Sequence, residues 1–237
     1  MIVLSIDSSS KVATVALLRD DILLGEYILN DKKEHSVILM PLIENLLKEC
    51  NLESDDIDGY VVSKGPGSFT GLRIGMATIK GMSFGSNKPY ISLSSLHGLA
   101  YSLSTFSGII CPIMDALREN VYTALYKSEN GKITTILEPT SMDIDKLLEL
   151  LKEKNEKVIF TGDGLIKHKD FIKGNFNNPN FAPNHLSITR ASSLGELGMD
   201  LLKNGISDNP DSSPAYLKKP QAERELERRL QMHECNS

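Results

Sequence analysis

Residues 62–82 read VSKGPGSFTGLRIGMATIKGM, and this stretch decides the fold. It starts at the end of an apolar segment that is typical of a buried strand. It then turns through residues 65–67 (GPG) and continues with helical periodicity. A helix N-terminus that follows such a turn exposes backbone N–H groups, and Ser68 or Thr70 has the short hydroxyl that caps them. The stretch therefore predicts a strand–turn–helix unit of an α/β fold.

The predicted helix after the turn is unusual because five of its residues have little or no side chain. They are Gly71, Gly75, Ala77, Gly81 and Gly85. Each internal glycine costs about 1 kcal/mol of helix stability relative to alanine. Close approach of another backbone would offset that cost, and Ala77, Gly81 and Gly85 are spaced four apart, so they fall near one face. The pattern favours a helix–helix contact; packing against this chain's own sheet is the alternative.

The same order of strands and helices is predicted twice along the chain. In the first half we predict strands that end at Asp7 or cover 12–18, 22–29 and 57–62, with a helix over 37–47. In the second half we predict strands over 109–115, 121–127, 133–137 and 157–160, with a helix over 144–154. Two β-β-β-α-β copies predict two ribonuclease H-like lobes across a cleft, residues 1–104 and a smaller 105–237. The alternative is a mixed α/β chain that divides this way by chance.

The C-terminal part of the chain gives weaker signals. Residues 175–187 are rich in Asn and Pro and are typical of a loop. A further helix is predicted over 191–203, and the charged residues 221–232 favour a helical tail.

Composition excludes several classes of protein. Of 237 residues 41% are hydrophobic and 24% charged, which is typical of a globular protein, and no apolar run approaches the ~20 residues of a membrane span. The start MIVLSID lacks the pattern of a signal peptide. Cys50, Cys111 and Cys235 have no metal or redox spacing and indicate reduced thiols, so we expect a cytoplasmic protein. The net charge of −5 argues against autonomous nucleic-acid binding.

Residues 62–82 resemble the signature of the TsaB family (older name YeaZ), and further matches follow in the same order along the chain. They are residues 6–10 (IDSSS), 35–47 (HSVILMPLIENLL), 92–100 (SLSSLHGLA), 114–122 (MDALRENVY), 161–164 (TGDG) and 215–225 (AYLKKPQAERE). The resemblance implies the duplicated fold of the actin, sugar-kinase and heat-shock chaperone superfamily. It also implies a non-catalytic dimerisation subunit of the bacterial machinery that makes threonylcarbamoyladenosine at position 37 of tRNA.

The partners follow from the same resemblance. We expect a TsaD-like catalytic subunit, a TsaE-like ATPase, a homodimer when the chain is alone, and contact with tRNA only through the complex. The first-lobe helices are expected to form the interface. Its predicted residues are Leu39, Leu42, Ile43 and Leu46 of the helix over 37–47, and Gly71, Arg73, Ile74, Gly75, Ala77, Gly81 and Gly85 of the glycine-rich helix.

Two aspartates mark a weak or vestigial nucleotide site. Asp7 and Asp115 each end the first strand of a lobe, where nucleotide-binding relatives hold phosphates with the help of glycine-rich turns. Here residues 8–10 (SSS) and 116–118 (ALR) replace those glycines. Together with Gly162, Asp163 and Gly164, the aspartates predict weak ATP or ADP binding and no required cofactor. The alternative is that each aspartate caps its own turn.

Catalytic and metal-binding residues are not predicted. The related TsaD motif has two histidines four residues apart on a helix, and the matching positions here are Ser95 and Leu99, with His97 between them. Neither replaces imidazole as a ligand. His35 is interpreted as a helix-start residue. The alternatives are a nucleotide-dependent phosphotransferase or metallopeptidase of the same superfamily, and a self-associating structural protein.

Four polar residues remain open at this stage: Arg73, Arg118, Glu119 and Tyr122. Their predicted positions surround the cleft, where they would grip a partner or an anion. Alternatively, an Arg–Glu pair would only fix the turn in which it lies.

Overall fold

In the computed structural model, which describes residues 1–31, 34–116 and 120–218, each half of the chain folds around its own five-stranded mixed sheet. The first sheet contains β1 (Ile2–Asp7), β2 (Ala13–Arg19), β3 (Ile22–Leu29), β4 (Gly59–Gly65) and β5 (Tyr90–Ser94), in the order β3-β2-β1-β4-β5. The second contains β6 (Gly108–Asp115), β7 (Asn120–Glu129), β8 (Lys132–Asp143), β9 (Val158–Thr161) and β10 (Asn180–Phe181), in the order β8-β7-β6-β9-β10. The two orders are identical when strands are counted within each lobe, which confirms the predicted duplicated fold.

The helices are α1 (His35–Glu49), α2 (Phe69–Ser86), α3 (Ser95–Tyr101), α4 (Ile144–Lys154), α5 (Leu165–Asn175) and α6 (Ala191–Lys203). The predicted bounds of α4 and α6 are confirmed. Helix α5 was missed because its buried residues are only Leu165, His168 and Ile172, and a histidine in that stripe weakens the apolar period. Within the described ranges, no helix is long and apolar enough to cross a membrane. The predicted tail over 221–232 lies outside the described residues.

The core of the first lobe contains residues that sequence analysis assigned to an interface. Leu39, Ile43 and Leu46 of α1 are buried against the sheet, and Leu42 is half-buried beside them. The assignment of the three buried residues to a partner surface is wrong, because the apolar stripe of a helix in an α/β fold first covers its own sheet. The assignment of Leu42 stays a prediction.

Two helices pack on the sheet of the other half of the chain, across the predicted boundary between residues 104 and 105. Helix α3 belongs to the first half, yet Leu96 and Leu99 pack with Ile110 and Tyr126 of the second sheet. Helix α6 belongs to the second half, yet its buried residues pack on β1, β2 and β4 of the first sheet; they include Ala191, Leu194, Met199 and Leu202. The boundary itself stays a prediction, but the exchange of helices makes each lobe incomplete without the other half of the chain.

We predict that Gly198→Ala destabilises the whole chain. A Cβ atom at Gly198 of α6 would lie 2.4 Å from Cγ2 of Val61 in β4. Overpacking of this kind costs about 1–3 kcal/mol of unfolding free energy. Chemical denaturation measures it.

The control is Gly174→Ala in α5, where a Cβ would meet nothing within 4 Å. That variant should be neutral or gain up to about 1 kcal/mol from helix propensity. Equal stability of both variants would contradict the close packing of α6.

Candidate functional site

The inner glycines of α2 pack against the turn that follows β1. A Cβ at Gly71 would lie 2.1 Å from the carbonyl oxygen of Ser8, and one at Gly75 would lie 2.3 Å from the Ser8 Oγ. The Ser8 hydroxyl also donates a hydrogen bond to the Gly71 carbonyl at 2.8 Å. The prediction that Gly71 and Gly75 face a partner is therefore wrong, because this chain's own turn fills the space beside both glycines.

The outer side of α2 faces solvent. A Cβ at Gly81 or Gly85 would meet nothing within 4 Å, and Ala77 is exposed. Phe84 is 91% exposed on the same helix. Ile74, in contrast, is half-buried and packs on the core of the lobe.

Helix α1 lies beside α2 and adds exposed apolar residues of its own. Val37 is 65% exposed and Met40 is 41% exposed. We call the exposed residues of the two helices the outer helix face; it comprises Val37, Met40, Arg73, Ala77, Gly81, Phe84 and Gly85. Of the predicted interface residues, Arg73, Ala77, Gly81 and Gly85 belong to this face.

A cleft of about 1240 Å³ opens between the lobes. Its first-lobe wall includes Lys11, His35 and the start of α2, where the Ser68 hydroxyl accepts a hydrogen bond from the Gly71 N–H at 3.2 Å. Its second-lobe wall includes Asp115 and Asp163, among other residues. Sequence analysis offered Ser68 or Thr70 as the cap of this helix, and the structure confirms Ser68.

Asp7 does not reach the cleft. It is fully buried, and its Oδ1 accepts hydrogen bonds from the Ser9 N–H at 2.9 Å and the Ser9 hydroxyl at 2.7 Å. The side chain caps its own turn beneath α2, as the alternative interpretation of this aspartate has it, and its nucleotide contact stays a prediction.

The Asp7 carboxyl lies among polar groups, but its Oδ2 atom accepts no hydrogen bond from the described residues. Burial raises its pKa, and the hydrogen bonds from Ser9 offset part of that rise. The nearby hydroxyls of Ser63 and Thr189 also lower it, although neither makes a hydrogen bond of normal geometry with Oδ2. The folded chain therefore favours the neutral form of this carboxyl more than the unfolded chain does.

The second-lobe aspartates do meet. The Asp115 N–H donates to Oδ1 of Asp163 at 3.4 Å. Burial raises the pKa of Asp163, its hydrogen bond with the Asp115 N–H lowers it, the Asp115 charge raises it further, and Lys11 across the cleft lowers it. Two carboxyl groups with one facing lysine form a polar wall, and nucleotide binding by this pair stays a prediction.

The glycines beside Asp163 have a structural role. Gly162 has φ +102°, and a Cβ there would lie 2.2 Å from the carbonyl oxygen of Ile113. A Cβ at Gly164 would lie 3.0 Å from the same oxygen. Both glycines let the turn pack on β6, and their nucleotide contact stays a prediction.

The positions of the TsaD metal motif are used for packing. The Ser95 hydroxyl donates to the Pro66 carbonyl at 2.6 Å, Leu99 is buried, and the His97 ring stacks on Tyr126 at 5.1 Å. Burial lowers the pKa of His97. In residues 1–31, 34–116 and 120–218 no three His, Cys, Asp or Glu side chains converge on a metal position. Arg118 and Glu119 lie outside the described residues.

Sequence reasoning missed that residues 215–218 also line the cleft. The Ala215 N–H donates to the Lys64 carbonyl at 2.7 Å, and the Tyr216 ring packs on Phe69 with 4.8 Å between ring centroids. The resemblance had marked this segment as a family stretch, but a contact so distant along the chain leaves no local pattern.

Comparison with known proteins identifies the family. A family model described as "TsaD: tRNA N6-adenosine threonylcarbamoyltransferase" matches residues 23–226. The tRNA threonylcarbamoyladenosine biosynthesis protein TsaB of Bacillus subtilis is 37% identical, over 94% of this chain and 96% of its own length. This chain belongs to the TsaB family. It also belongs to the wider TsaD-type family that the model describes.

Other members support the assignment. The TsaB protein of Escherichia coli K12 is 31% identical to this chain, over 55% of this chain and 58% of its own length. YeaZ from Pseudomonas aeruginosa has the same fold, with a TM-score of 0.75 over 91% of this chain and 99% of its own, at 21% identity.

We predict that Asp7→Asn stabilises the folded chain at pH 7. The folded pKa lies above the ordinary value of 3.8, so the folded chain binds more protons between the two values and stability falls as pH rises through that window. Above the folded pKa the penalty is constant. An amide keeps the acceptor for Ser9 and removes the buried charge, for a gain on the order of 1 kcal/mol.

Denaturation curves from pH 3 to pH 8 measure the effect, with exposed Asp21→Asn as the control. If Asp7→Asn were less stable than the native chain at pH 7, the carboxyl would be a well-paired anion, and burial would not raise its pKa.

Proposed function

We propose that this chain is the non-catalytic dimerisation subunit of an assembly that transfers threonylcarbamoyl to adenosine 37 of tRNA. It pairs with a TsaD-type catalytic subunit and recruits a TsaE-like ATPase; alone, it forms a homodimer through the same surface. The names of its relatives support the pathway, and the outer helix face supports the role within it.

The observation that carries this proposal is the arrangement of small and large residues on the outer helix face. Ala77, Gly81 and Gly85 leave backbone uncovered, while Phe84 stands out beside them almost fully exposed. A partner helix can approach such a strip more closely than the usual 8–10 Å. An exposed aromatic next to a shallow strip is also the arrangement typical of an interface anchor.

The cleft favours a supporting role over chemistry. Where relatives are expected to hold phosphates, the turn at Ser8 and Ser9 is packed under α2, and Asp7 is buried below it. The second-lobe wall presents the carboxyl groups of Asp115 and Asp163, and residues 116–118 (ALR) replace the glycines that would hold a phosphate there. The proposal therefore includes only weak ATP or ADP binding, no cofactor of this subunit's own, and contact with tRNA through the assembly.

We predict that Phe84→Ala weakens pairing with the TsaD-type subunit of the same organism by about tenfold to a hundredfold, because loss of an aromatic anchor costs 2 kcal/mol or more. The matched control is Ile166→Ala on α5, since Ile166 is 92% exposed and Phe84 is 91% exposed. Titration calorimetry compares the two variants. If both variants lost the same affinity, or if neither lost any, the outer helix face would not be the interface.

The same interface predicts the behaviour of Gly81→Leu. Nothing lies within 4 Å of a Cβ there, so the variant should stay folded and monomeric while losing self-association and pairing. Retained pairing, measured by light scattering, would place the interface elsewhere.

We also predict that the isolated chain neither hydrolyses ATP nor modifies tRNA, because Asp7 is buried and no three His, Cys, Asp or Glu side chains of the described residues converge on a metal position. Mixed with the TsaD-type and TsaE-like subunits, it should allow modification, measured by nucleoside analysis. Turnover by the chain alone that is lost in Asp163→Asn would contradict the non-catalytic role, as would salt-sensitive, submicromolar binding of tRNA by the chain alone.

A further inference from the structure

Residues 215–218 cross the cleft from one lobe to the other, and we call them the strap. At one end the Ala215 N–H donates to the Lys64 carbonyl at 2.7 Å, beside the end of β4. At the other end Nζ of Lys218 donates to the Ala116 carbonyl at 2.8 Å, just after β6, and lies 5.5 Å from the Tyr122 ring. Four residues thus join both walls of the cleft.

The first lobe provides a shaped seat for the strap. Gly65 has φ +104°, and a Cβ there would lie 3.1 Å from the Ala215 carbonyl oxygen and 2.9 Å from Leu72. The Tyr216 ring then packs on Phe69 in the first turn of α2. The strap therefore rests on the same helix that forms half of the outer helix face.

Arg73 connects the strap to the outer helix face. Its Nε donates to the Tyr216 hydroxyl at 3.2 Å, and its guanidinium lies 4.5 Å from the centroid of the Phe69 ring. Arg73 is exposed and has no acidic partner within the part of the chain that the structure describes. Its hydrogen-bond acceptor is thus a neutral hydroxyl, and a carboxylate makes a stronger, charge-assisted bond with guanidinium.

The position of Arg73 brings it within reach of anything that docks on α2. It precedes Ala77 by four residues, so the two side chains are neighbours on one face of the helix. Residues 69–86 contain Arg73 and Lys80 and no Asp or Glu, although the whole chain has a net charge of −5. The helix is therefore a basic element on an acidic protein, and its charge complements an acidic partner surface.

We propose that the partner helix docked on the outer helix face carries a carboxylate that pairs with Arg73, replaces the Tyr216 hydroxyl and releases the strap from the cleft. This inference rests on the proposed function, because it takes α2 as the docking helix. It adds the chemistry of the partner and a consequence, namely that docking opens the cleft between the lobes.

The first test measures pairing with the TsaD-type subunit. Arg73→Gln should weaken binding about tenfold or more at low salt, because a charge-assisted hydrogen bond contributes roughly 1.5–3 kcal/mol. The difference should shrink at high salt. Lys146→Gln on α4 is the control, since it removes one exposed positive charge far from α2. Tyr216→Phe keeps the ring but frees Arg73, so its affinity should equal or exceed that of the native chain.

The second test follows the strap itself by hydrogen exchange. The Ala215 amide is protected in the free chain by its bond to Lys64, and its exchange should accelerate when the partner is added. The Gly71 amide, which is bonded to Ser68 within α2, should keep its protection and serves as the internal control.

The outcomes separate the two proposals. Pairing that leaves the Ala215 amide protected overturns the release of the strap but keeps the proposed function. Equal effects of Arg73→Gln and Lys146→Gln, or a loss of affinity in Tyr216→Phe, overturn the exchange at Arg73. Failure of the native chain to pair overturns the proposed function, and this inference with it.

Discussion

The packing of α2 onto the turn after β1 is the contact on which the rest of the structure depends. Backbone meets backbone there: a Cβ at Gly67 would lie 2.1 Å from the Ser9 carbonyl oxygen, and the Ser68 N–H donates to that oxygen at 2.6 Å. This contact fixes which side of α2 faces inward, so Gly81 and its neighbours must face solvent. It also buries Asp7 beneath the start of α2. One close contact therefore sets both the burial of the turn after β1 and the side of α2 that faces solvent.

The sequence predicted the fold well because its signals are local. The apolar strand segments and the ends of α4 and α6 are all determined by neighbouring residues. The exchange of α3 and α6 and the course of residues 215–218 could not be predicted in this way, since they depend on contacts between segments far apart in the chain. Helix α5 was missed for a different reason, because His168 occupies its buried stripe.

The site was predicted less well, and α2 shows why. Its glycines look alike in sequence, but Leu72, Met76 and Ile79 mark the buried stripe. At 100° per residue, Gly75 falls next to that stripe, whereas Gly81 falls nearly opposite to it. The direction of the apolar residues therefore separates inner from outer glycines. For Asp7 and Asp115 no such signal exists: each ends an equivalent strand, yet only the first lies beneath a helix start.

The outer helix face and the cleft meet at the first turn of α2. Each contact that holds the strap there contributes little free energy. The strap is held by hydrogen bonds at a partly exposed surface, each worth about 0.5–1.5 kcal/mol net, and by the ring contacts of Tyr216 with Phe69 and of Lys218 with Tyr122, which are of about the same size. The two lobes, in contrast, are joined by buried helices that cannot separate without exposing a core. Under the proposal that a partner docks on α2, binding would have to displace only the contacts of the strap, while the buried helices keep the lobes joined. A subunit built in this way would transmit the presence of a partner to its cleft through a short segment, while its overall fold stays fixed.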